Sequence, residues 1–205
     1  MTIRAALFDM DGTLVDSKID WLAFRGEVDV PSDGRPLLAQ LDELSEEERA
    51  RGLEVLHRWE SRGAASGEMI DGAEEILALL RGHDVACALV TNNSRSSAEL
   101  VIERHGLRFD TVLTRDDGEV KPAPDLVLQA LERLGVKPDE AVFLGDAHLD
   151  LLAAKAAGIP ETILIATPDW MLEHIPAEMR YTAVKTLREA DAEIKRLIGN
   201  NSSRR

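Results

Sequence analysis

The chain has 205 residues, 44% of them hydrophobic, and its 38 acidic side chains against 24 basic ones give a formal net charge of −14. That apolar share supports a substantial core, no run is apolar for long enough to span a bilayer, and the acidic surplus excludes broad nucleic-acid binding and an electrostatic membrane anchor. Because the same charge repels small anions at long range, any phosphate site has to be made positive locally, by a bound cation and a few placed basic groups.

The start of the chain lacks the basic stretch, apolar middle and small-residue cleavage site of a signal peptide, which predicts a cytoplasmic protein. A short apolar run at 3–8 reads as a buried strand. The segment 17–70 contains no strand pattern and reads as helices at 18–28, 36–44 and 46–62, with a turn at 31–34. Ser45, followed three residues later by Glu48, forms a capping-box pattern for the last of these. Asp16 and Ser17 on the way out, and the small residues of 63–67 on the way back, are expected as hinges.

Beyond 70 the pattern alternates. Helices are predicted at 72–80, 96–105, 124–134 and 150–157, the last three ending before Gly106, Gly135 and Gly158. Strands are predicted at 85–90, 111–113, 141–144 and 162–165. Cys87, the only cysteine, lies inside the second strand, where a small buried core residue is expected and no disulfide within one chain is possible. A surface helix at 186–198 and a disordered polar tail at 200–205 complete the reading. Strands that are apolar throughout and alternate with helices predict an α/β fold, a doubly wound parallel sheet covered on both faces. The domains are then an α/β core of 1–16 and 71–199 and a small helical cap of 17–70 inserted after the first strand.

Four sets of polar residues fall just beyond predicted strands: Asp9 and Asp11, Thr91 and Asn92, Lys121, and Asp146. In a parallel sheet these positions share the carboxyl edge, where ligands bind near the reversal of strand order. The residues also carry a resemblance. Asp9-Met10-Asp11-Gly12-Thr13-Leu14-Val15-Asp16-Ser17 resembles the first motif of the haloacid dehalogenase superfamily. Val90-Thr91-Asn92-Asn93, Lys121-Pro122-Ala123-Pro124-Asp125 and Gly145-Asp146-Ala147-His148-Leu149-Asp150 resemble the second, third and fourth. Order and spacing agree over residues 1 to about 185, and the helical insert lies where the family places a cap.

The resemblance implies a Rossmann-type fold and a Mg²⁺-dependent phosphatase, closest to the phosphoglycolate phosphatase-like branch, acting on a small phosphorylated metabolite such as a phosphoglycolate-like or sugar phosphate ester. It implies Asp9 as the nucleophile that forms an aspartyl-phosphate and Asp11 as the general acid and base. Thr91 and Asn92 would bind phosphoryl oxygens, and Lys121 would neutralise their charge. Asp9, Asp146 and the backbone carbonyl of Asp11 would hold Mg²⁺, a hard ion that prefers oxygen ligands, while Asp150 would orient Lys121 or a metal-bound water. A monomer or homodimer is expected.

Other residues read more plainly. His148 is expected as a solvated rim residue, and His57, His83, His105 and His174 as surface residues. Trp21 and Phe24 either face the substrate or pack between cap helices, and Arg25, Arg35, Arg58 and Arg62 read as solvated surface cations. Trp170 and Met171 either form an exposed patch or cover the sheet. Among rival activities, a dehalogenase has no use for Asp11. A phosphonate hydrolase needs a lysine deep in the cap, where only Lys18 at the hinge is found. A phosphosugar mutase remains the main alternative, although 17–21 lacks the histidine its members usually carry there, and a non-catalytic binding module is the reading from a different class.

Overall fold

The computed structural model describes residues 3–199, so the tail predicted at 200–205 lies outside the described residues. Strand β1 (Ala5–Phe8) runs through the middle of a parallel sheet, and Asp9 follows it directly. A two-residue strand β2 (Val15–Asp16) then leads into three helices, α1 (Trp21–Val28), α2 (Leu37–Asp42) and α3 (Glu46–Ser66). The chain returns through β3 (Glu68–Met69), which pairs antiparallel with β2. From there α4 (Ala73–Gly82), β4 (Ala86–Val90), α5 (Arg95–His105), β5 (Thr111–Leu113), α6 (Asp125–Leu134), β6 (Ala141–Gly145), α7 (His148–Ala156) and β7 (Glu161–Ile165) alternate. A short helix α8 (Asp169–Leu172), strand β8 (Thr182–Val184) and helix α9 (Leu187–Gly199) follow.

The sheet order is β5-β4-β1-β6-β7-β8, every neighbouring pair parallel. Successive crossovers run outward from β1 to β4 and β5, and the chain then jumps back across β1 to β6. Order therefore reverses at β1, the geometry that opens a crevice at the carboxyl edge. Alternation along β1 shows why both faces need cover: Ala5 and Leu7 enter one buried cluster with α6 and α7, while Ala6 and Phe8 enter the other with α4, α5 and α9. A third cluster belongs to the insert alone, built from Phe24, Val28, Val30, Leu41, Val55 and Leu56. Its helices therefore hold one another before they meet the sheet.

Local signals in the sequence act as expected where they are strong. Ser45 caps α3 in a reciprocal box with Glu48, worth about 1 kcal/mol. Gly106 and Gly135 end α5 and α6 at φ +62 and +63, where a Cβ would be strained.

Three differences from the sequence reading bear on the site. The return segment 63–67 is not a loose hinge, because α3 continues to Ser66 with Gly63 and Ala64 buried; a Cβ at Gly63 would press on Ser17 and Ile19 at 3.0 to 3.1 Å. The two crossings between insert and sheet are instead stitched by the β2–β3 ribbon, whose strands are too short to show a period-2 pattern. Strand β8, with only Ala183 and Val184 between the polar Thr182 and Lys185, was likewise invisible to hydrophobic pattern. Among the described residues no helix is long and apolar enough to cross a membrane.

Cys87 is buried in β4, and burial pushes its thiol up to about 12. Folded protein should therefore resist alkylation by iodoacetamide at mildly alkaline pH, and the same protein in concentrated guanidinium should label fully. Rapid labelling of the native chain, read by intact mass, would show that β4 opens.

Candidate active site

The Asp9 backbone N–H donates to the Leu144 carbonyl at 2.9 Å, so β1 and β6 stay in register to the sheet edge. Eight residues past β5 and four before α6, the backbone of Lys121 is gripped by Asn92, whose side-chain oxygen accepts from the Lys121 N–H at 2.9 Å and whose amide donates to the Lys121 carbonyl at 3.0 Å. The loops after β4 and β5 are thereby fixed as one piece. Lys121 then drives its ammonium back under the edge, donating to Asp9 Oδ1 at 2.5 Å and to Asp150 Oδ1 at 2.6 Å, 5.7 Å from the centre of the Phe143 ring. The other Asp150 oxygen accepts from the Ala147 N–H at 3.0 Å, in the first turn of α7, so one carboxylate caps a helix and clamps the lysine.

Asp9, Asp146 and Asp150 each bring an oxygen within 4.8 Å of the other two. Two glycines make this crowding possible. A Cβ at Gly12, itself at φ +79, would collide with the Asp146 carboxylate, and one at Gly145 would collide with that of Asp150. Asp11 sits beside this group and accepts a short hydrogen bond from the Asn93 amide. Thr91 is buried; its Oγ1 accepts from the Asn93 N–H at 3.2 Å, which leaves the hydroxyl proton to be donated elsewhere. The backbone N–H groups of Met10, Asp11 and Asn92 have no acceptor among the described residues.

The electrostatics follow from crowding acids where water is scarce. Burial, reinforced by Asp150 and Asp11 and opposed by Lys121, pushes Asp9 up from 3.8 to about 7. Burial and then the charges of Asp9 and Asp150 hold Asp146 well above the carboxylate range. Asp11 is also raised by burial, against hydrogen bonds from Ser17 and Asn93 that favour its charged form. Lys121 goes the other way: burial opposes its charge, but Asp150 and Asp9 outweigh that and hold the ammonium above its ordinary value.

Four carboxylates thus face one ammonium. With Lys121 taking Asp150 Oδ1 and one oxygen of Asp9, the second Asp9 oxygen and the Asp146 carboxylate remain, and no other side chain among the described residues donates to Asp146. An all-oxygen, strongly anionic donor set of this kind fits a hard divalent cation and not a thiophilic one.

Asp9, Asp11, Thr91, Asn92, Lys121, Asp146 and Asp150 all line one cavity, together with residues of the helical insert and of α8. Its roof shows what sequence reasoning missed. Glu60 of α3 is buried and pairs with Arg115, which follows β5, while also accepting from the Ser94 N–H at 3.5 Å. The signal was present, since Glu60 is the one charged residue on the buried stripe formed by Gly52, Val55, Leu56, Gly63 and Ala64. Asn93, quoted only as part of a motif, turns out to hold Asp11.

His148 needs a correction: it is buried, not solvated at the rim, because α7 starts at His148 and turns the ring inward against His174, 5.5 Å between centres. Its Nδ1 is buried without a partner, and burial and then His174 lower its pKa. His105 is half-buried and not on the surface, while His57, His83 and His174 are exposed. The insert aromatics divide, Phe24 into the helical core and Trp21 to the cavity wall. Arg25 and Arg35 also line the cavity, whereas Arg58 pairs with Glu27 on the surface.

Comparison with known proteins agrees with this geometry. The model of the haloacid dehalogenase-like hydrolase family matches residues 3–158. A phosphoglycolate phosphatase of Xanthomonas campestris is 34% identical over 180 residues, 77% of this chain and 80% of that protein. The pyrophosphatase PpaX of Bacillus velezensis is 29% identical over 213 residues, covering 89% of this chain and 98% of that one. Among solved structures, a HAD-superfamily hydrolase from Geobacter sulfurreducens superposes with a TM-score of 0.65 at 26% identity, over 96% of this chain and 97% of that one. A hydrolase from Pseudomonas syringae shares the fold at a TM-score of 0.76 and 24% identity, over 93% of this chain and 99% of that one.

Raised carboxylates give a pH signature for chelator-treated protein. Asp9 binds its proton more tightly folded, at about 7, than unfolded, near 3.8, and Asp146 is shifted in the same direction. Over that window the native state holds more protons, so stability falls as pH rises through it. Melting temperature should therefore drop between those two pH values in chelator. Added Mg²⁺ should restore more at the upper end than at the lower, and a flat profile would contradict the shared burial of the acids.

Proposed function

The chain belongs to the haloacid dehalogenase-like hydrolase family, and from that premise we infer that it is a Mg²⁺-dependent phosphatase working through a phosphorylated Asp9. One observation carries the reading: Lys121 ties Asp9 to Asp150 at 2.5 and 2.6 Å, with Asp146 alongside, at the point of the sheet where strand order reverses. The relatives' names, phosphoglycolate phosphatase and pyrophosphatase, share transfer of a phosphoryl group to water.

In the first step an Asp9 oxygen attacks phosphorus, the bond from phosphorus to the ester oxygen breaks, and Asp11 gives its proton to the departing oxygen. The raised Asp11 pKa supports a protonated start, and Asn93 fixes the direction of its carboxyl. In the second step a water attacks the phosphorus, passes its proton to Asp11, and inorganic phosphate leaves Asp9. Thr91, with the free N–H groups of Met10, Asp11 and Asn92, supplies donors for the phosphoryl oxygens, and Lys121 balances charge between two anions that would otherwise repel. Asn92 acts mainly by holding the Lys121 backbone, since both ends of its amide are engaged there. Asp9, Asp146 and the Asp11 carbonyl would hold Mg²⁺, which would supply positive charge to the nucleophile and the phosphoryl group alike.

We take residues 17–70 as a cap over a core of 1–16 and 71–199. The insert's separate apolar cluster and the paired crossings at β2 and β3 support that division. A cap that excludes water from the first step and admits it to the second suits the two-step chemistry.

Asp9→Asn should abolish phosphate release while leaving the melting curve cooperative. Asp11→Asn should slow both formation and decay of the phosphoenzyme, by about 10²–10⁴, in single-turnover experiments with ³²P-labelled ester. Excess chelator should stop turnover and Mg²⁺ restore it. Appreciable hydrolysis by clean Asp9→Asn protein, or full activity in chelator, would remove the reading.

A further inference from the structure

The cavity above the carboxylates holds about 830 Å³. Glycolate, a two-carbon leaving group, fills little of that, whereas pockets of this size enclose ligands of two or more rings. Beyond the catalytic floor its walls are largely apolar, with Trp21 and Leu22 from α1, Leu37 and Leu38 from α2, and Trp170 and Met171 from α8. Trp21, Leu22 and Trp170 are 40%, 69% and 53% exposed, and they are three of only five large apolar side chains left open to solvent among the described residues. Their gathering around one cavity marks a ligand surface, because scattered exposed apolar residues are ordinary and clustered ones are not.

The wall also has an aromatic grain. Trp170 meets His174 edge-on at 6.5 Å between ring centres, and His174 lies 5.5 Å from His148, so a row of rings descends from the mouth towards the first turn of α7. Across from it, a Cβ at Gly34 of the insert would lie 2.8 Å from the His174 ring, so the insert loop rests directly on that row.

Charge points the same way. Among the described residues the wall presents no cation without partners. Arg25 donates to the Pro31 carbonyl at 2.8 Å, to the Arg35 carbonyl at 3.2 Å and to Gln40. Arg35 is held by Asp33 and Glu43, each at 2.8 Å, and Glu60 is held by Arg115, so these charges are already paired. A carboxylate or second phosphate on the substrate would have to displace these pairings, whereas a neutral ring would not.

We propose that the site is built for phosphomonoesters whose leaving group is a flat, uncharged ring system, held against Trp21 and Leu22 on the insert side and Trp170 on the sheet side, in preference to esters bearing a carboxylate or a second phosphate. This rests on the phosphatase reading above and assigns its substrate class. Trp170, Trp21 and Leu22 are then specificity determinants, contacting the leaving group and not the reacting atoms.

The test compares esters with alkyl leaving oxygens, so that intrinsic reactivity stays similar: 2-naphthylmethyl phosphate against phosphoglycolate, with inorganic pyrophosphate as a third substrate, all with Mg²⁺. The native protein should favour the naphthylmethyl ester in kcat/KM by about ten-fold or more, and Trp170→Ala should erode that preference about ten-fold, mainly through KM. Leu22→Ala, at the most exposed of these positions, should act in the same direction and guards against a misfolded tryptophan variant. A native preference for phosphoglycolate or pyrophosphate, or variants that slow all substrates alike, would overturn the substrate class while leaving the phosphatase intact. Absence of phosphate release from every ester would instead remove the phosphatase reading itself, and this inference with it.

Discussion

Every functional group in the crevice is placed by reference to one buried ammonium. Lys121 is 3% exposed, and an ammonium so far from water costs several kcal/mol unless its charge is matched at contact distance. Asp9 and Asp150 supply the match, and each comes from a different element, the end of β1 and the first turn of α7. The pair of bonds can form only if β1, β6 and the β5–α6 loop are all in register, which is what Asn92 and the Asp9 N–H to Leu144 bond secure. Once the lysine is fixed, one oxygen of Asp9 is turned towards it, and the carboxylate keeps an oxygen within 4.8 Å of one on Asp146. The orientation of the Asp9 carboxylate is thus a consequence of charge compensation in the core.

The insert is joined to the sheet by more than its two chain crossings. Glu60 and Arg115 form a largely buried ion pair across the boundary, and Arg104 of α5 donates to the Gly67 carbonyl at 2.6 Å and to that of Ala64 at 3.4 Å. These contacts lie on one flank, beside α3 and α5. On the opposite flank a Cβ at Gly34 would lie 2.8 Å from the His174 ring, so the insert loop rests against His174.

How much of this was legible beforehand differs by the kind of signal. The central strands were readable because strands buried on both faces are apolar at every position, and the helices because glycine stops and a capping box mark their ends. The polar residues at the carboxyl edge were readable because a parallel sheet collects strand exits on one side. The β2–β3 ribbon was not, since two-residue strands carry no period. His148 was misplaced because the turn into α7 begins two residues earlier than the spacing of Asp150 suggested, and a shift of two residues rotates a helical side chain by about 200°. Glu60 was within reach of periodicity alone. It was overlooked because a glutamate in a helix is ordinarily solvated, and only its partner Arg115, 55 residues away, makes its burial tolerable.

Net charge links the small site to the whole molecule. A protein carrying −14 repels each additional negative charge on an approaching ligand, so an ester with one phosphate meets a smaller barrier than one with a phosphate and a carboxylate. Local compensation at the phosphoryl end comes from Lys121 and from any divalent ion that the Asp9 and Asp146 oxygens hold. At the leaving-group end the arginines of the wall are already engaged, Arg25 with backbone carbonyls and Gln40 and Arg35 with carboxylates. Long-range field and short-range lining therefore select in the same direction: one compact anionic head drawn to the sheet edge, and an uncharged body that gains by leaving water for the apolar wall.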